Sequence, residues 1–338
     1  MRSISVIILF SLLAAAPAIV HAQGSSSVED RTRQNNSSSL SFSGDESDDY
    51  VLREALWTRA ATAKPGARPT VGLALSGGGA RAFAHTGVLD VLSYSGFPVD
   101  YVSGTSMGAL VGAFYSSGRP MEEMWRFGRE AEELKVARDF KTIRMLPLLI
   151  ADKLLNPKHI TRFIDSKLGG LDFKDLKKPF ACTAMDLRTG EKIIFTDGAL
   201  AIAVRASVNI PGIFAPVQYR QRYLVDGGVV DNIPVDAARG LGAEWVLASV
   251  AENSADRMPE SVLMTLMQVI DIRGTLLARE AEKSANFLMK PKVGDITVAD
   301  FDRCVEAGVA GVVEASRRLE PAKEAYLIYA APTLVEKL

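Results

Sequence analysis

The sequence predicts an α/β domain with three layers, α/β/α, and a mostly parallel central sheet. Three observations lead there. Beyond residue 70, short apolar runs of strand length alternate with segments of helical periodicity. Two early runs end abruptly in glycine-rich turns, SGGGAR at 76–81 and GTSMG at 104–108, and a helical pattern follows each at once. After residue 70 no repeat or internal linker breaks the chain, so one large domain accounts for it.

The elements follow in order. VGLAL at 71–75 is the first strand, and a helix is expected within His85–Ser95. VDYVSG at 99–104 is the second strand, and a helix of small residues runs from the GTSMG turn to Ser117. Further strands are expected at Phe180–Met185, Lys192–Thr196, Val217–Val225 and Glu244–Val250. KTIRMLPLLIADKLLNPKHI at 141–160 reads as a pair of core helices broken at Pro147, or as an interfacial cap over a cleft. Val262, Leu266, Val269 and Ile270 recur at helical spacing and are expected in the core.

The start of the chain is of another kind. Residues 1–22 have a short cationic start, an apolar run over 4–20, and VHA before Gln23. This is the pattern of a signal peptide. The run is short for a membrane span and Pro17 interrupts it, which disfavours an uncleaved anchor helix. The expectation is export, to the periplasm or outside the cell. Residues 23–67 form a leader whose first part, 24–49, is rich in Ser, Asn and Asp and too poor in apolar residues to fold alone. Within it YVLREALW, at 50–57, has the composition of a short docked helix. The folded domain is expected over 68–338.

Composition excludes some functions. Among 338 residues, 39 Lys and Arg balance 40 Asp and Glu, giving a net charge of −1, and there is no polybasic run. A nucleic-acid partner is not expected. Cys182 and Cys304 form either one disulfide or two separate buried thiols; their spacing suits no metal site, and neither metal nor cofactor is expected.

The two glycine turns carry the chemistry. Gly77, Gly78 and Gly79 sit between a strand and a helix, where backbone N–H groups and the helix N-terminus suit a bound or developing anion. A plain strand–helix turn is the simpler reading. A dinucleotide loop is excluded by Ala82, which stands where G-x-G-x-x-G needs its last glycine. In GTSMG, Ser106 sits at the apex of a strand–turn–helix, as a nucleophilic serine would. Its base is less obvious. His21 lies in the signal segment. His85 lies early in the helix after the glycine loop and suits packing. His159 follows Ser106, with Asp139 or Asp152 as candidate for the intervening aspartate. Asp226, at a strand end before Gly227 and Gly228, is either a carboxylate base or a turn aspartate.

The series SGGGAR, GTSMG and DGG, in this order, resembles the patatin-like phospholipases. ASVNIPGIFAPV at 206–217 and DGGVVDNIPVDAARGLGA at 226–243 extend the resemblance over roughly residues 70–250. One departure is Ala82, where the family often has glycine. The resemblance implies a lipid acyl hydrolase with a Ser–Asp dyad: Ser106 as nucleophile, Asp226 as proton acceptor, and Gly77, Gly78 and Gly79 as oxyanion donors with Arg81 beside them. It implies a lipid or phospholipid substrate, with transient contact at a membrane surface. A histidine-dependent α/β-hydrolase esterase and a catalytically silent lipid-binding module are the alternatives.

Overall fold

In the computed structural model, residues 44–133, 158–251 and 262–336 are described. Residues 52–338 form one compact unit; of the chain before it, the described residues are 44–51, the opening of a helix. The signal segment and most of the leader lie outside the described residues, as does nearly all of the apolar stretch at 141–160.

Helix α1 (Gly44–Thr62) precedes β1 (Val71–Leu75), α2 (Ala84–Tyr94), β2 (Tyr101–Thr105), α3 (Met107–Ser116) and α4 (Met121–Glu133). Next come α5 (Lys158–Leu168), β3 (Phe180–Asp186), β4 (Lys192–Phe195), α6 (Leu200–Ser207), β5 (Val217–Tyr219), β6 (Arg222–Asp226), α7 (Val235–Gly240) and β7 (Trp245–Ser249). The chain closes with α8 (Val262–Ser284), β8 (Phe287–Met289) and α9 (Cys304–Glu336).

The strands form a single sheet in the order β5-β6-β3-β2-β1-β7-β8, with β4 also pairing with β3. The run from β3 through β2, β1 and β7 to β8 is parallel, and β4, β5 and β6 join it antiparallel. The sheet is therefore mixed but mostly parallel. Alternation along β1 and β7 fixes the layers. Val71, Leu73 and Leu75, with Trp245 and Leu247, face one apolar core that includes residues of α2, α3 and α9. Ala74, Val246 and Ala248 face a second core closed by α7 and by Ala278 of α8. Side chains on successive strand residues point to opposite faces, so two cores mean helices on both sides of the sheet.

Three expectations need correction. Packing begins before residue 68: Trp57 and Ala60 of α1 are buried, and the Trp57 ring lies 5.3 Å from that of Phe97. The expected strand Val217–Val225 is a hairpin, turned at Arg220 and Gln221, both at positive φ. Val269 is 57% exposed rather than in the core. The two cysteines are not joined by a disulfide and both are buried, so they are separate thiols.

Candidate active site

The parallel strands β1 and β2 run side by side, with Leu75 opposite Gly104, so the two glycine turns leave the sheet at the same edge. Beyond β2, β3 pairs with β6, placing Ala184 opposite Asp226. Three chain ends far apart in sequence thus converge: the loop after β1, the turn after β2 and the end of β6.

Ser106 is the turn residue between β2 and α3, held at φ 55° and ψ −125°. This conformation is strained for a residue with a side chain, and costs about 1–3 kcal/mol that the surrounding fold must supply. The neighbours of Ser106 permit the turn. A Cβ on Gly104 would lie 2.4 Å from the Gly108 carbonyl oxygen, and one on Gly108 would lie 2.4 Å from that of Ser76. Both glycines of GTSMG are therefore needed for close approach. The Ser106 N–H donates to Ser207 Oγ at 2.9 Å, which ties the turn to the end of α6.

Ser106 Oγ donates to Asp226 Oδ2 at 2.6 Å. Asp226 Oδ1 accepts from the Gly228 N–H at 2.8 Å, and the Asp226 N–H donates to the Asn209 carbonyl. Asp226 is buried, 7% exposed as a residue. Burial pushes its pKa from 3.8 up to about 6, against the opposing pull of the Ser106 and Gly228 hydrogen bonds. At pH 7 it remains about nine-tenths ionised and is a stronger base than an exposed aspartate. Gly227 lies against Thr183 of β3, where a Cβ would come within 2.6 Å of the Thr183 oxygens, so DGG has a packing reason besides its turn.

The glycine loop divides its donors. The Gly77 N–H donates to the Asn232 carbonyl at 3.1 Å, so it is spent on the fold and corrects the expected trio of oxyanion donors. The N–H groups of Gly78 and Gly79 make no hydrogen bond among the described residues, and both residues line the cleft. Gly79 has φ 56°, and a Cβ there would lie 2.2 Å from the Val298 carbonyl oxygen. Arg81 is buried and its guanidinium turns away from the nucleophile. It donates to Asp271 Oδ1 of α8 at 2.5 Å and reaches back to the Gly78 carbonyl at 3.4 Å. Arg81 is thus a brace between the loop and α8.

The cleft over these groups encloses about 980 Å³, counted out to its solvent-open mouth. Ser106 and Asp226 stand at its floor, and Leu110, Phe127, Ile160, Phe163, Val208 and Phe301 give it an apolar wall. Its aromatic part is stacked: the Phe127 ring lies on those of Phe114 and Phe163 at 4.8 and 4.9 Å.

The histidines stand apart from this arrangement. His85 is fully buried. One ring nitrogen, Nε2, lies 2.9 Å from the Ser76 carbonyl oxygen, and Nδ1 lies 2.8 Å from Ser249 Oγ. A carbonyl only accepts, so Nε2 carries the proton and Nδ1 accepts from the serine hydroxyl. Burial lowers the pKa of His85 to about 4, and the ring links α2 to the ends of β1 and β7. His159 lies on α5, where its neighbours Ile160 and Phe163 line the cleft and it does not. Its candidate acids, Asp139 and Asp152, and also His21, lie outside the described residues.

Ser207, Asn209 and Asn232, which hold the site in place, were missed as functional positions in the sequence. The first two lie in ASVNIP and the third in DNIP, segments legible only as part of the family resemblance.

Comparison with known proteins gives the same direction. The patatin-like phospholipase family model matches residues 73–239. An uncharacterized NTE family protein of Mycobacterium tuberculosis is 33% identical over 192 residues, which are 56% of this chain and 51% of that protein. The Lysophospholipase nte1 of Aspergillus fumigatus is 30% identical over 205 residues, 56% of this chain and 12% of the fungal one. The chain thus spans about half, or much less, of the length of the curated relatives it matches. Among solved structures, VipD from Legionella pneumophila matches with a TM-score of 0.46 at 13% identity, covering 75% of this chain and 67% of that one.

Proposed function

We propose that this chain, matched by the patatin-like phospholipase family model over residues 73–239, is a lipid acyl hydrolase of phospholipase A type working through a Ser106–Asp226 dyad. The observation that carries the reading is the hydrogen bond from Ser106 Oγ to the buried Asp226 carboxylate, 2.6 Å long, at the floor of an apolar cleft. Asp226 takes the proton as Ser106 Oγ attacks the ester carbonyl. The N–H groups of Gly78 and Gly79 receive the developing oxyanion, which preorganised donors in a water-poor cleft stabilise strongly. Protonated Asp226 returns the proton to the leaving alcohol. It then takes a proton from the water that attacks the acyl-serine and returns it to Ser106 Oγ as the acyl–oxygen bond breaks and the free fatty acid leaves. The apolar wall receives the acyl chain.

A similar fungal protein bears the name lysophospholipase, which makes single-chain phospholipids the first substrates to test. The experiment is a panel of lysophospholipids and diacyl phospholipids, with free fatty acid measured for the wild type and Ser106→Ala. Acid release by the wild type and its loss in the variant support the reading. Equal release by both would end it. Export through residues 1–22 belongs to the same proposal: the mature protein should begin near Gln23, and an intact Met1 on protein recovered outside the cytoplasm would contradict it.

A further inference from the structure

Among its described side chains, helix α8 turns several large apolar ones outward, which is unusual for a helix packed on a core. Its inner face is narrow: Ile270, Asp271 and Gly274 line the cleft, and Ala278 is buried against the sheet. Its outer face presents Val269, Ile272 and Leu276, which are 57%, 53% and 54% exposed. At 3.6 residues per turn these three fall in one stripe roughly 60° wide. Arg273 and Arg279 are exposed on its two flanks, and neither forms an ion pair among the described residues. A contiguous apolar stripe held in water, edged by cations that form no ion pair among the described residues, is the pattern of a helix that lies in a lipid interface.

The position of the stripe says what covers it. The same helix is a wall of the cleft that holds Ser106, and Arg81 fixes it to the glycine loop through Asp271. Arg273 also reaches the Val229 carbonyl just after DGG, at 3.3 Å. A surface that takes up this face therefore sits at the wall of the cleft. Resting on the lipid hydrolase reading above, we propose that the outer face of α8 docks the protein onto an anionic lipid bilayer. Val269, Ile272 and Leu276 enter the acyl boundary, and Arg273 and Arg279 meet lipid phosphates. A lipid then passes from the bilayer to the cleft around one helix.

The test separates docking from chemistry. Full-length Ser106→Ala protein, which leaves lipids intact, is sedimented with vesicles of phosphatidylcholine with and without phosphatidylglycerol. It is compared with the same protein carrying Val269→Ser, Ile272→Ser and Leu276→Ser, and with Arg273→Glu and Arg279→Glu. Binding to the anionic vesicles should fall about tenfold or more in each set. With Ser106 restored, turnover of a short, water-soluble ester should stay near that of the wild type, which also shows that the variants fold. Unchanged vesicle binding would overturn the proposal. So would a parent protein that hydrolyses the soluble ester yet never binds vesicles. So would sedimentation showing that the serine substitutions dissolve a dimer while vesicle binding persists, because the face would then belong to a second copy of the chain. Vesicle binding that depends on this face, with no ester hydrolysed by the wild type, would uphold docking and sink the hydrolase reading.

Discussion

Substituting Asp226 by Asn should change how stability depends on pH as well as abolish turnover. Two buried groups contribute to this dependence in opposite directions, and buried Asp231, whose carboxyl is also raised by burial, is common to both proteins. His85 has a folded pKa of about 4 against 6.5 in the unfolded chain. Between those values the unfolded chain holds a proton that the folded protein does not, so stability falls as pH falls. The slope is about 1.4 kcal/mol per pH unit, and the full span is worth roughly 3 kcal/mol. Asp226 has a folded pKa of about 6 against 3.8. There the folded protein holds the extra proton, so stability rises as pH falls from 6 to 3.8, again by about 3 kcal/mol. In the wild type the two slopes nearly cancel between pH 4 and 6. Asn keeps the shape of the side chain and removes the titration. Asp226→Asn should therefore be more stable than the wild type at pH 7, because an ionised carboxylate has left a buried site. It should then lose about 3 kcal/mol relative to the wild type between pH 6.5 and 4. Urea denaturation across this range measures both curves. Parallel curves for wild type and variant would refute the claim that burial raises the Asp226 carboxyl.

Four other substitutions, at three positions, probe the site and its surroundings. Ser106→Gly and Ser106→Ala should both be inactive, but Gly should be more stable by about 1 kcal/mol in thermal unfolding, because only the alanine keeps a Cβ at φ 55°. Ser207→Ala leaves the Ser106 N–H without its acceptor and should lower kcat about tenfold with little change in KM, read from steady-state ester kinetics. Arg81→Met removes the ion pair between buried Arg81 and Asp271 beside the cleft and should cost about 3 kcal/mol in urea denaturation.

Ser106 and the glycine loop were legible in the sequence because each needs a backbone that few residues allow, whereas Asp226, with ordinary backbone angles, was assigned only through the family resemblance. Ser106 at positive φ demands small neighbours, and Gly79 at φ 56° must be glycine; both demands appear as short glycine motifs. Alternation of strands and helices gave the parallel part of the sheet for a similar local reason. What stayed hidden depends on distant contacts. The turn at Arg220 and Gln221 has positive φ without Gly, Asn or Asp, so no turn signal marks it. Strand β8 has three residues and no periodicity to read. Helical spacing shows that Val269, Ile272 and Leu276 share a face, but not that this face turns outward. The Gly77 N–H looks like a free donor until Asn232, 155 residues later, is folded against it.

The central claim is that Asp226, and no histidine, activates Ser106. A fluorophosphonate reports it most directly, because it reacts with the serine oxygen itself and its site can be read by mass spectrometry. The measurement is the rate of labelling at Ser106 in the wild type, Asp226→Ala and His159→Ala, each shown to be folded. The dyad predicts labelling of Ser106 at nearly the same rate in the wild type and His159→Ala, and a rate at least about a hundredfold lower in Asp226→Ala. Wild-type labelling in folded Asp226→Ala, or a His159→Ala protein as unreactive as Asp226→Ala is expected to be, would contradict it.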